Sequence, residues 1–148
     1  MTHEDSNVLV RLKGSAHNIA NPYMHPCLQR KLRKLKPEDI FAVHPGIRFA
    51  GLANRNGQIL FSKMREGVVS YTPDSVERTG LEDHGRYFIE TAEQEVKWSG
   101  ILEHIAVSYE KYVVLYVPLK QTYVLISLEK DVPAESYTSI CKAIRVLD

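Results

Sequence analysis

The nearest approach to a metal site in this chain is His25-Pro26-Cys27, with His17 or His44 as a further ligand. Structural zinc takes two close pairs of Cys or His at recognisable spacing, and the second pair is missing, so no metal ligand is assigned. Cys27 lies close to Arg30 and Lys31, cations of the kind that lower a thiol pKa, yet with Leu28, Leu32 and Leu35 it recurs at helical spacing and reads as an ordinary apolar residue. Cys141 falls on an apolar stripe and is expected to be inert. His84 and His104 bracket a helical stretch with Glu90, Glu93, Glu95 and Glu103 nearby, but no spacing sets either imidazole beside a nucleophile. Neither Gly-x-x-x-x-Gly-Lys-Ser/Thr nor Gly-x-Gly-x-x-Gly occurs, so no loop is expected to cradle a nucleotide phosphate. No catalytic residue, cofactor-binding residue or cofactor is assigned, and the chain is not expected to be an enzyme.

Charge offers a different chemistry. The net charge of +1 conceals a division: residues 1–36 hold seven Lys and Arg against Glu4 and Asp5, and the remainder holds twelve against sixteen acids. A basic head of this kind can meet nucleic acid or an anionic surface, or fold onto its own acidic body. The candidate polyanion contacts are Arg30, Lys31, Arg33, Lys34 and Lys36, with Tyr23 placed to stack on a base.

The elements that must position these residues follow from turn chemistry and periodicity. The two runs in residues 46–62 join at Asn56-Gly57, a pair that tolerates the positive φ of a type I′ turn, and read as a hairpin. Before it, residues 1–26 contain isolated apolar residues and turn formers, with an edge strand expected at 8–12. A short amphipathic helix is expected over 26–36, and a second helical segment over 37–43, started by Pro37 and closed by His44-Pro45-Gly46. After the hairpin, residues 63–80 form a long connection of the sort that is often functional. Thr72-Pro73-Asp74 can begin a helical turn there, but Thr79-Gly80-Leu81-Glu82 is the clearer start, a capping box. Leu81, Gly85, Phe88, Ile89, Ala92, Val96 and Ser99 then form one stripe of a helix about five turns long.

Residues 105–109, 112–119 and 123–128 are rich in β-branched and aromatic residues and are separated by connections short enough to force antiparallel pairing. The middle strand is apolar on both faces, and Pro118 should lie near its end. Tyr137, Ile140, Cys141, Ile144 and Leu147 make a closing helix over 133–147. The fold class is thus α+β, a five-stranded antiparallel sheet with flanking helices in the order α-β-β-α-β-β-β-α. The domains are a basic, partly disordered arm at 1–36 and a folded body at 37–148.

At 44% hydrophobic and 25% charged, the composition is that of an ordinary globular domain. The longest apolar run, from Tyr112 to Val117, falls far short of the about 20 residues that cross a bilayer, so no membrane partner is expected. No basic start followed by an apolar stretch opens the chain, and two cysteines make no secreted disulfide framework, so a cytoplasmic location is expected.

The order of elements, the Gly46-Ile47 entry to the first strand, Asn56-Gly57 followed by Gln58-Ile59-Leu60, and the three-strand meander resemble the roadblock/dynein light chain domain family, whose sheet and helices are profilin-like. The resemblance covers residues 38–147. An Ile-Arg-Phe-Ala-Gly strand at Ile47 to Gly51 and Met-x-Glu-Gly at Met64 to Gly67 resemble in particular a small group of archaeal roadblock-like proteins. It implies a non-enzymatic, dimeric protein-interaction module that binds or regulates a small GTPase or serves as an adaptor; it transfers no site residue. The 63–80 connection and the arm depart from the family pattern. Nucleic-acid binding through the arm and small-molecule sensing between sheet and helices stand as alternatives, the second because related folds hold ligands there. A homodimer is expected, since apolar surface left by limited helical cover can be buried by a symmetric partner.

Overall fold

The computed structural model describes residues 34–148 of the chain. Its first helix, α1 (Pro37–Phe41), begins at Pro37, which needs no amide partner at that position. The proline ring drives the preceding residue into extended backbone, and Lys36 sits at φ −120° and ψ 156°. Asp39 completes the start by accepting the Lys36 amide at 3.0 Å. The helix expected over 26–36 therefore does not include residues 34–36; the rest of it, like the expected strand at 8–12, lies outside the described residues.

β1 (Ile47–Asn54) and β2 (Ile59–Met64) form the expected antiparallel hairpin, but not through a type I′ turn. Only Gly57 has positive φ, at 85°; Asn56 does not. The Asn54 side chain is the reason. Its Oδ1 accepts the amides of Asn56 and Gln58, each at 3.0 Å, while the Gly57 amide donates to the Asn54 carbonyl at 2.9 Å. A turn followed by a left-handed glycine is the longer-loop route to a hairpin.

β3 (Ile105–Ser108), β4 (Tyr112–Pro118) and β5 (Thr122–Glu129) form the meander, with Pro118 at the last paired position of β4. The five strands among the described residues make one sheet in the order β2-β1-β5-β4-β3, antiparallel throughout. β1 and β5 lie inside it, and both are almost wholly buried.

Helices cover the two faces. On one face Ile140, Cys141 and Ile144 of α5 (Tyr137–Val146) and Ile40 of α1 pack on Ile47, Leu52, Leu115, Val124 and Ile126. On the other, Leu81 and Ile89 pack on Phe49, Tyr116, Tyr123 and Leu125. The expected five-turn helix on this second face is not one helix. It starts earlier, as α2 (Asp74–Thr79), continues through a π-helical turn at Gly80–His84 into α3 (Gly85–Glu93), and breaks before α4 (Val96–Ser99). The irregular connection is correspondingly shorter than 63–80. No capping box forms at Thr79, which is already helical; its hydroxyl donates to the Ser75 carbonyl, and Glu82 pairs with Arg78.

The π turn has a packing cause. Tyr116 and Tyr123 are buried in the sheet, and buried phenol hydroxyls require partners. Two carbonyls of the widened turn serve them: Tyr116 donates at 3.3 Å to the Gly80 carbonyl, which also accepts the Gly85 amide, and Tyr123 donates to Leu81. Gly85 lets the helix approach the same two rings. A Cβ there would lie 2.7 Å from the Tyr123 ring and 3.0 Å from Tyr116.

Candidate functional site

A cavity of about 320 Å³ opens beside this turn, between α2, the 70–72 loop and the sheet. Its floor is one row across the sheet: Met64 pairs with Phe49, Phe49 with Ser127, and Ser127 with Val114, and all four line the cavity. Leu125 and Tyr116, a paired couple in the next row, extend it toward Gly80.

Arg48 reaches this side because of a bulge. Along β1 the pairing with β5 shifts between Ile47 and Phe49, which oppose Leu128 and Ser127 and leave Arg48 as the extra residue. An inserted residue re-aims side chains, and Arg48 and Phe49 both line the cavity. The Arg48 side chain, 9% exposed, donates to Glu129 at 2.8 Å and to the Val69 carbonyl at 2.8 Å. Its guanidinium carbon stands 4.4 Å from the centre of the Tyr71 ring, within cation–π range. Tyr71 in turn lies nearly parallel to Tyr112, and Tyr109 is 5.2 Å from Tyr112. The loop is held from the helix as well: the Ser70 hydroxyl donates to Glu77 and accepts the Thr72 amide at 3.1 Å. Burial, assisted by Tyr109 and Glu77, pushes the Tyr112 phenol up from its ordinary pKa, and burial does the same more strongly to Tyr116. Both rings therefore remain neutral hydroxyl groups.

Of the residues singled out in the sequence, His84 lines this cavity and packs against Phe88, with ring centres 6.0 Å apart. His104 lies elsewhere, just before β3, with a buried Nδ1 that has no partner among the described residues. The set does not converge: Glu93 pairs with Arg55, and the Glu103 carbonyl accepts from Arg145. His44 Nδ1 accepts the Gly46 amide at 2.9 Å, and the described residues contain no cluster fit to hold a metal. His17, His25, Cys27, Tyr23, Arg30, Lys31 and Arg33 lie outside the described residues; Lys34 and Lys36 are exposed. Cys141 is buried in the core, which pushes its thiol up to about 11.

Two surface features lie apart from the cavity. β2 and β3 are the sheet's edges, and Val96 and Ile101 line a groove near Arg55, with Trp98 exposed on α4. No helix among the described residues is long and apolar enough to cross a membrane.

The element order, sheet order and two-faced helical cover define a roadblock fold, and the chain resembles that family of domains. It is similar to the Roadblock/LC7 domain from Streptomyces avermitilis at 10% identity and a TM-score of 0.56, over 75% of this chain and 87% of that one. Gliding protein MglB from Thermus thermophilus is similar at 13% identity and a TM-score of 0.53, over 78% and 92%. MglC from Myxococcus xanthus is similar at 15% identity and a TM-score of 0.51, over 75% and 88%. No family model and no curated protein matches the chain.

Proposed function

We propose that the chain is a non-enzymatic, cytoplasmic interaction module that works as a homodimer and regulates, or serves as an adaptor for, a small GTPase. The observation that carries the reading is the roadblock fold combined with an edge strand, β3, that bears no charge of its own and meets Lys130 only at its end, at Ser108 and Tyr109. Edge strands are templates for pairing unless charges or covering elements blunt them. β2 is blunted: Lys63 stands on it and pairs with Glu38 at 2.9 Å. β3 is Ile-Ala-Val-Ser, with no charged residue, and Ala106 and Ser108 are exposed. Pairing of β3 with its copy joins two sheets about a two-fold axis, the commonest symmetry of soluble oligomers.

Ala106→Lys tests this without disturbing the core. Light scattering at micromolar concentration should give twice the 16.9 kDa chain mass for the unchanged protein and the single mass for the variant, with unchanged circular dichroism. A monomer in both cases counts against the dimer. Capture of native partners on the unchanged protein should enrich a small GTPase, and the absence of one removes that part of the reading.

A further inference from the structure

We propose that the cavity between α2, the 70–72 loop and the sheet binds an uncharged, planar molecule of one or two rings with hydrogen-bonding groups on its edge. Such binding does not depend on the partner proposed above. At about 320 Å³ the space falls at the lower end of small-molecule sites, which combine an apolar lining with a few placed polar groups. Phe49, Val114 and Leu125 give a flat apolar floor suited to a ring face. Around it, Ser75, Ser127, Tyr109 and Tyr112 bring hydroxyl groups that enter none of the hydrogen bonds made among the described residues.

The charges decide the ligand's own charge. Arg48 is matched by Glu129, bonded to the Val69 carbonyl and stacked on Tyr71, and the Glu77 carboxylate accepts from Ser70. Each serves to hold the loop. A ligand cation would meet the Arg48 guanidinium on the face of Tyr71, and a ligand anion would meet Glu77. Apart from His84, whose ring packs against Phe88, what remains are hydroxyl groups that can donate or accept. The mouth points the same way: Tyr71, Val76 and Tyr109 are each at least half exposed around it, and clustered exposed apolar side chains mark binding sites.

Three probes that share one ring system and differ in charge test the proposal on the full chain: indole-3-acetamide (neutral), tryptamine (cation) and indole-3-acetate (anion), titrated by NMR. The amide should saturate with Kd below about 1 mM and bind about tenfold tighter than either charged relative. Val76→Trp at the mouth and Ser127→Leu on the floor should each weaken it about tenfold. Loss in Val76→Trp with its melting midpoint intact supports the site even where Ser127→Leu unfolds. Failure of the amide to saturate, equal binding of either charged probe, or undiminished binding in Val76→Trp overturns the proposal.

Discussion

Gly57 is where the hairpin meets the helical face, and replacing it measures how tightly. Its φ is 85°, and a Cβ there would lie 2.7 Å from the carbonyl oxygen of Glu82, in the π turn. Two costs arise in Gly57→Ala. Placing an L-residue in left-handed backbone costs roughly 1–2 kcal/mol, offset by about 0.4–1 kcal/mol from a stiffer unfolded chain. The contact adds more. Ordinary contact starts near 3.4 Å, so two backbone segments must separate by about 0.7 Å, a form of overpacking worth roughly 1–3 kcal/mol. The sum is about 2–4 kcal/mol, or at about 4 °C per kcal/mol a fall of roughly 8–16 °C in melting midpoint. Gly67 supplies the control: its φ is 81°, and a Cβ there meets nothing within 4 Å. Gly67→Ala should therefore show only the conformational cost, about 1 kcal/mol. Thermal and urea melts followed by circular dichroism give both values. If the two variants agree within about 0.5 kcal/mol, the hairpin does not press on the π turn and the packing argument fails.

Arg48→Met should release the cavity loop, since it removes the bonds to Glu129 and the Val69 carbonyl and the contact with Tyr71; a global loss of about 1–3 kcal/mol should accompany faster amide exchange at residues 69–71, and unchanged exchange there refutes the anchoring role. The Cys141 thiol, pushed up by burial from 9.0 to about 11, stays protonated in the folded chain after it has ionised in the unfolded one. Stability should thus be flat with respect to this group below pH 9 and fall between about pH 9 and 11, by at most about 1.4 kcal/mol per pH unit. Urea melts of the unchanged chain and of Cys141→Ala, which should lack this contribution, check the slope.

Most of the fold was legible because its signals are local. The strands of the meander differ from expectation by about a residue at their ends, since Glu110-Lys111 and Lys120-Gln121 interrupt apolar runs that can only be sheet. The closing stripe from Tyr137 to Leu147 maps onto α5 with Ile140, Cys141 and Ile144 buried. Errors arose where a side chain competes with a backbone motif. Asn54 is outside the Asn-Gly pair, yet its amide oxygen dictates the turn. Thr79 and Glu82 have the spacing of a capping box, but Pro73 sets the start one turn and a half earlier, with Asp74 as the first helical residue.

The cavity was illegible for a different reason. Its polar members lie in strands that read as core: Arg48 interrupts an apolar run, and Ser127 sits between Ile126 and Leu128. Those two exceptions were the available signal, but each becomes meaningful only through register. Ser127 faces Phe49 across β1 and β5, and the bulge that turns Arg48 to the same side exists only in that pairing. The helix side has the same non-local logic. Nothing in Gly80-Leu81-Glu82-Asp83-His84 specifies a π turn by itself; it is specified by Tyr116 and Tyr123, two phenols on the sheet that need acceptors, and by Gly85, which lets the helix descend onto their rings. Downstream of that contact α3 is seated on the sheet; upstream, α2 has no buried residue. The open space lies under the unseated half. Two core tyrosines thus fix where the helix touches the sheet and, by the same contact, where it does not.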